Sequence, residues 1–269
     1  MELSVTGKRC ELSTGGVSFA PAASPWPAVI LIHGAAHDKD AWLTVARGLT
    51  ASGCAVLAPD LPGHGQSEGP ALGSIDALAD WLAALVNAAG LDRAMLVGHS
   101  MGSLVALACA ARYPQCVSRL ALLGTSIPMP VAQPLLARST DDPDAVRRLM
   151  TEYSASKRFL LAGSGGHGLW GPGITLAIMR RSPPGVLAID LALCDGYHAG
   201  LDAATQVKCP TLLLTGRRDR MTPRRNLSPL QSALAEAQRV EIPDCGHAMM
   251  SEQPLAVVRE LLSFLAAKP

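Results

Sequence analysis

What the chain has little of narrows it first. Charge is scarce: Asp, Glu, Lys and Arg make up 17% of the 269 residues and the formal net charge is +1. No basic stripe for nucleic acid and no polybasic face for a membrane is therefore expected. The seven cysteines, Cys10, Cys54, Cys109, Cys116, Cys194, Cys209 and Cys245, show no C-x-x-C spacing, and an odd count leaves at least one unpaired. That disfavours a disulfide scaffold and a zinc site, and makes a reduced, cytoplasmic setting the expectation. Charges, glycines or prolines interrupt every apolar run before the ~18 residues a spanning helix needs, so no membrane insertion is expected. The opening "MELSVTGKRC" carries no apolar core followed by small residues, so no secretory signal is read there. Internal repeats, heptads and acidic tails are also missing, which leaves a structural interaction module without a supporting feature.

What is present is apolar residues, 49% of the chain, enough at this length for one sizeable core. From Ala28 short apolar runs alternate with amphipathic stretches, the pattern of βαβ units and a parallel sheet. Strands are expected at Ala28 to Ile32, Ala55 to Ala58, Ala94 to Gly98, Arg119 to Gly124, Thr211 to Gly216 and Arg239 to Pro243. Helices are expected at Ser74 to Ala89, Met101 to Tyr113 and Leu255 to Ala267, and the first twenty-odd residues read as an antiparallel hairpin at one sheet edge. Between about Ser126 and Gln206 the alternation stops and helix signals cluster. Asp142-Pro143 is a cap and first-turn pair for a helix through Tyr153, Ser182-Pro183 opens another toward Tyr197, and "LAGSGGHGLWGPG" between them reads as a mobile loop. The expected organisation is a core of residues 1–125 and 207–269 with a helical cap, residues 126–206, inserted over the sheet.

Two segments share the pattern G-x-S-x-G, which marks a serine nucleophile on a strand-to-helix elbow: "GQSEG" around Ser67 and "GHSMG" around Ser100. The first is bounded by Pro59, Pro62 and Pro70, which continue neither a ladder nor a helix, so Ser67 reads as a solvated serine in a surface turn. The second follows an apolar run and leads into "SLVALACAARYP", where Leu104, Val105, Ala108 and Ala111 share one helical face. Ser100 is the nucleophile candidate.

A serine hydroxyl needs a base, and the base needs a carboxylate to hold its tautomer. His247, in "EIPDCGHAMMSEQP", lies between the last expected strand and the last helix, where a loop can bring its ring over the carboxyl edge of the sheet. His33 and His99 sit in tight turns and His64 in the proline-rich loop; His37, His167 and His198 remain as pocket-lining or solvated side chains. Asp219 in "TLLLTGRRDRMTP" leaves a buried strand through a glycine turn at the same edge, whereas its competitor Asp244 follows Pro243 in turn-like sequence. Two backbone donors are needed for an oxyanion, and the N–H groups of Met101 and Ala35 are the candidates.

With strand–His33–Gly34, "DLPGHGQS", "GHSMG", "GRRDRMTP" and "GHAMMSEQP" in order, the sequence resembles the α/β-hydrolase superfamily from about Pro27 onward. The resemblance implies a doubly wound, mostly parallel sheet with an inserted cap, and a structural role for the "PGHGxS" turn. Haloalkane dehalogenases and related epoxide hydrolases carry an aspartate at the elbow, which Ser100 does not match. Carbon–carbon bond hydrolases typically resemble "HGxGPG" and place a tryptophan after the histidine; here the loop is "HGAAHD" and Ala248 follows His247. The "HGGG" of another esterase group is absent as well.

The expectation is thus a serine hydrolase of small carboxylic esters, lactones or thioesters, working with water and with no metal or organic cofactor. The alternatives are a carbon–carbon bond hydrolase of a diketone-type substrate and a ligand receptor on the same fold. Arg217 and Arg218 could select an acidic acyl group but read more simply as solvated loop charges. Met129, Met179, Met249 and Met250 could face an apolar pocket. The oligomeric state is not legible.

Overall fold

The fold follows from where the apolar runs end and the caps begin. The computed structural model describes residues 1–162, 170–234 and 236–267. The chain opens with the hairpin β1 (Glu2–Val5) and β2 (Lys8–Ser13), then enters β3 (Ala28–Ile32), α1 (Leu43–Ala51), β4 (Val56–Pro59), α2 (Ile75–Ala88), β5 (Ala94–His99), α3 (Met101–Arg112) and β6 (Val117–Leu123). Six helices follow: α4 (Gln133–Asp141), α5 (Pro143–Ser154), α6 (Lys157–Ala162), α7 (Gly171–Arg180), α8 (Val186–Gly196) and α9 (Gly200–Gln206). The sheet resumes with β7 (Thr211–Gly216), α10 (Ser228–Ala233) and β8 (Gln238–Ile242), and the chain closes with α11 (Met249–Glu252) and α12 (Pro254–Ala266).

The eight strands run in the order β1-β2-β4-β3-β5-β6-β7-β8. The expected hairpin forms one edge, β2 pairs antiparallel with β4, and all remaining pairs are parallel. Parallel strands covered on both faces are apolar throughout, and every residue of β3, β4, β5 and β7 is buried. Alternation along each strand then divides the core in two. Ile30, Leu57, Leu96 and Leu120 pack with α2 and α3 residues on one face, and Val29, Leu31, Val97 and Leu123 pack with α1 and α12 residues on the other. Strand order reverses between β3 and β5, and in open α/β sheets the crevice beyond the carboxyl ends at such a reversal is where ligands bind.

Local chemistry set several boundaries as expected. Ser74 caps α2 by accepting from the Ala77 N–H at 3.0 Å, and Asp142 caps α5 by accepting from the Ala145 N–H at 3.2 Å. Other boundaries differ. α8 starts at Val186 rather than beside Ser182, because two prolines in succession lead into Gly185 at φ +82°, and the helix begins only after that left-handed residue. The loop expected over residues 161–173 gives way at its end to α7, which Pro172 opens from the first turn; residues 163–169 of that loop, His167 among them, lie outside the described residues. α1 was not anticipated: its buried stripe of Val45, Ala46 and Leu49 is short, and no capping side chain announces it. Among the described residues no helix is long and apolar enough to cross a membrane.

Candidate active site

Ser100 sits between the end of β5 and the start of α3 with φ +53° and ψ −123°, a region a residue with a Cβ rarely occupies. Two glycines permit the turn. A Cβ on Gly98 would lie 2.1 Å from the Gly102 carbonyl oxygen, and one on Gly102 would lie 2.4 Å from that of Ile32. The elbow is therefore pressed against the end of β3, at the strand-order reversal. Gly34 follows closely, since a Cβ there would lie 3.1 Å from the Ser100 Cβ.

His247 and Asp219 converge on this point from the β8 and β7 ends. The His247 Nδ1 stands 2.8 Å from the Asp219 Oδ2, and both residues are buried. Asp219 also accepts from the backbone N–H groups of Met221 (2.9 Å) and Thr222 (2.8 Å) and from the Thr222 hydroxyl (2.7 Å). Burial opposes ionisation of this carboxyl, but His247 and the Thr222 donors outweigh it and hold the group down at about 2. With Nδ1–H directed at Asp219, the lone pair falls on Nε2, which is buried and has no hydrogen-bond partner in the described structure. Asp244 is elsewhere: it turns at φ +50° and faces the exposed Arg218 at 3.5 Å.

Ser100 and His247 line one small cavity, with about 30 Å³ open to the centre of a water molecule. Gly34, Ala35 and His37 form one wall; Met150, Thr175, Ile178 and Met179 from the inserted helices form the roof. Of the methionines expected at a pocket, Met179 and Met250 line it, joined by Met150 and Met221. Met129 and Met249 are instead packed into the two core clusters and do not line the cavity, although Met250, the next residue on α11, does. The Met101 N–H opens α3 and the Ala35 N–H lies in the loop after β3; neither donates to a backbone acceptor among the described residues.

The remaining histidines have structural partners. His33 donates from Nδ1 to the Gly34 carbonyl at 2.9 Å and accepts the Leu61 N–H on Nε2 at 3.1 Å. His99 reaches the His247 carbonyl at 2.9 Å through Nε2, and burial together with the neighbouring His247 ring keeps its pKa well below the ordinary imidazole value. His37 lines the cavity, with Nδ1 on the Ala35 carbonyl at 2.8 Å; burial lowers its pKa as well, so its ring is neutral at physiological pH. His198 is exposed.

Ser67 sits in a loop, as expected, but it is half-buried and its hydroxyl is not free. Its hydroxyl donates to the Asp60 carbonyl at 2.8 Å and accepts the Glu11 N–H at 2.9 Å, so it ties the loop to β2. Arg217 and Arg218 are largely exposed, pair loosely with Glu241 and Asp244, and do not line the Ser100 cavity.

Three contributors were missed from the sequence. Thr222 braces Asp219, with the D-x-x-T spacing of "DRMT" as its only signal. Glu252 accepts the Gly246 N–H at 3.0 Å and the Ser156 N–H at 3.1 Å, and also the Ser156 hydroxyl, which joins the histidine loop to the turn after α5. Arg220 reaches the carbonyls of Glu152 and Ala155 and lies 4.8 Å from the Tyr153 ring centroid, which ties the Asp219 loop to the end of α5.

Known proteins resemble this chain in sequence and fold. The sequence profile of the alpha/beta hydrolase fold matches residues 27–169. A pimeloyl-[acyl-carrier protein] methyl ester esterase of Chromobacterium violaceum is 32% identical, over 92% of this chain and 97% of its own. A 2-hydroxy-6-oxo-6-phenylhexa-2,4-dienoate hydrolase of Burkholderia cepacia is 28% identical, over 89% of this chain and 87% of its own. Among solved structures, an enol-lactonase of Burkholderia xenovorans superposes with a TM-score of 0.81 at 22% identity, covering 99% of this chain and 100% of that one. The chain belongs to the α/β-hydrolase fold family and is a hydrolase.

Proposed function

We propose that the chain is a serine hydrolase cleaving small, uncharged carboxylic esters, lactones or thioesters through an acyl-enzyme on Ser100, with Asp219 and His247 completing the triad. The observation that carries this reading is the buried His247 Nε2, unpartnered in the described structure, in the same cavity as a serine strained onto an elbow. Asp219 fixes the Nδ1–H tautomer and stabilises the imidazolium. His247 takes the Ser100 proton as Oγ attacks the ester carbon, the Ala35 and Met101 N–H groups hold the oxyanion, and the alcohol departs with that proton. Water activated by His247 then releases the acid and restores Ser100. The helices between β6 and β7 act as a lid, since they roof the cavity.

Substrate size and charge follow from the lining. The cavity is small, with about 30 Å³ open to the centre of a water molecule, so a short acyl group is favoured over a long one. No Lys or Arg lines it among the described residues, so a substrate carboxylate would be buried without a countercharge. That favours a neutral ester over a dienoate of the kind the Burkholderia cepacia relative's name describes. Initial rates on p-nitrophenyl esters of increasing acyl length should peak between acetate and butyrate and vanish in Ser100→Ala. A folded wild type inactive on every ester would overturn the reading and favour carbon–carbon cleavage or ligand binding without turnover.

A further inference from the structure

One buried carboxylate is used by none of the chemistry above. Asp190, on α8, is 1% exposed, and its Oδ2 accepts the Ala36 N–H at 2.7 Å while standing 2.9 Å from the His64 Nε2. These contacts join segments 154 and 126 residues apart in the chain.

The Ala36 N–H belongs to the central peptide of a tight turn. Residues Gly34 to His37 close with the His37 N–H on the Gly34 carbonyl at 3.2 Å, and Ala36, third in the turn, has φ +56°. That is the type II arrangement, in which the third position is ordinarily glycine or asparagine. An alanine there is strained, and rotation of the Ala35–Ala36 peptide toward type I would relieve it. The peptide is gripped at both ends: its N–H by Asp190, its carbonyl by the His37 Nδ1 at 2.8 Å. The preceding residue, Ala35, lies in the wall beside Ser100.

The His64 ring carries a second argument. Its Nδ1 faces the Pro62 carbonyl at 3.1 Å, which can only accept, and its Nε2 faces a carboxylate oxygen that already accepts the Ala36 N–H. With Asp190 ionised, both contacts are hydrogen bonds only when both ring nitrogens donate, and the ring is then an imidazolium. Burial opposes that charge, but Asp190, the Pro62 carbonyl and Asp60 outweigh it and raise the His64 pKa. Asp60 is itself bound by Lys39 at 2.7 Å, and the neutral His33 ring stands 5.0 Å from the His64 ring between centroids.

We infer that Asp190 is a positioning residue: paired with the His64 imidazolium, it holds the Ala35–Ala36 turn in the conformation that presents the Ala35 N–H to the oxyanion. The inference rests on the proposed role of Ala35, and it makes a working oxyanion site depend on the helices inserted between β6 and β7. It also gives the proline-rich "PGHG" turn a task beyond shape. When His64 loses its proton as pH rises, the pair is broken and the turn is released.

The test uses diethyl p-nitrophenyl phosphate, whose phosphoryl oxygen occupies the oxyanion site. An Oγ–P bond forms on Ser100, the P–O bond to p-nitrophenolate breaks, and the serine proton passes to His247. Labelling rates are compared for wild type, Asp190→Asn and His64→Gln from pH 6 to pH 10, alongside ester turnover and thermal melts. Removing an oxyanion donor outright costs ~10²–10³-fold, so loosening its support should slow labelling and kcat by about tenfold or more at neutral pH, with KM little changed. The advantage of wild type should shrink toward one as pH rises through the loss of the His64 proton. Equal labelling by a folded variant, or a wild-type advantage constant with pH, would overturn the inference. If neither variant folds, the wild type still decides, because a labelling rate that does not fall at alkaline pH contradicts it. Wild type that labels but hydrolyses no ester defeats the ester reading alone; folded wild type that neither labels nor turns over defeats both.

Discussion

The two G-x-S-x-G segments share a pattern and nothing else. Around Ser67 the glycines serve the turn itself: Gly63 and Gly65 take φ of +75° and +49°, and a Cβ on Gly65 would lie 2.4 Å from the Asp60 carboxylate. The serine hydroxyl is used on both sides, by Asp60 and Glu11. Around Ser100 the glycines clear space for a crossing of β5, α3 and the end of β3, and the strained torsion falls on the serine itself. One segment uses its serine to satisfy backbone groups; the other holds its serine against a cavity that also contains an unpartnered imidazole nitrogen. Backbone strain and the company of other side chains separate the two, and the five-letter pattern does not.

The comparison breaks most sharply at Ser100. Ser100→Ala should lower kcat for a p-nitrophenyl ester by ~10⁴-fold or more, as loss of a serine nucleophile does elsewhere, while the melting temperature changes little. A variant retaining a tenth of the wild-type rate would mean that the chemistry runs through another group.

Asp219→Asn comes next. The wrong imidazole tautomer should cost about 10³–10⁴-fold in kcat. Stability carries a second signature. The folded-state pKa of Asp219, at about 2, lies below its ordinary 3.8, so its contribution is complete above pH 4 and fades as pH falls toward 2. Its size is about 2 kcal/mol. Acid unfolding of the variant should lack that component, and an unchanged acid titration would contradict the buried pairing.

The sequence carried the parallel sheet, the elbow and the two strand-end loops because each is a local pattern: apolar runs of strand length, glycines where the chain crosses itself, and a polar residue just past a buried strand. Asp190, Glu252 and Arg220 were out of reach for the opposite reason. Asp190 meets Ala36 across 154 residues, and nothing near it in "GVLAIDLALCD" distinguishes it from a solvated helix residue. Met129 and Met249 illustrate the same limit, since composition names candidate pocket residues while only packing decides which of them face the cavity. α1 was missed because three buried positions make too short a stripe to read as a helix.

Thr222→Val gives a smaller effect and sharpens the account of the acid. Its hydroxyl donates to the same Asp219 oxygen that holds His247, and a hydrogen bond to a charged group is worth about 1.5–3 kcal/mol. A kcat loss of about tenfold is expected, with KM nearly unchanged. The acid-unfolding component should also move to higher pH as the Asp219 pKa rises. Loss of rate with an unmoved acid limb would mean that Thr222 acts through packing alone.

Ser67→Ala should affect activity least, and that makes it the control for the whole comparison. The substitution leaves the Glu11 N–H and the Asp60 carbonyl without their shared partner, which should cost about 1–2 kcal/mol of stability. The Ser67 hydroxyl itself bonds only Glu11 on β2 and the Asp60 carbonyl and does not line the Ser100 cavity, so kcat and KM at a temperature well below unfolding should stay within about twofold of wild type. Gly65→Ala should destabilise further, because the added methyl meets the Asp60 carboxylate in a backbone region suited to glycine. If Ser67→Ala instead lowered kcat while the melt stayed in place, the loop would be acting on the site through His64, three residues earlier, and through the Asp190 contact that His64 makes. The same variant thus measures how far the influence of Ser67 extends toward Ser100.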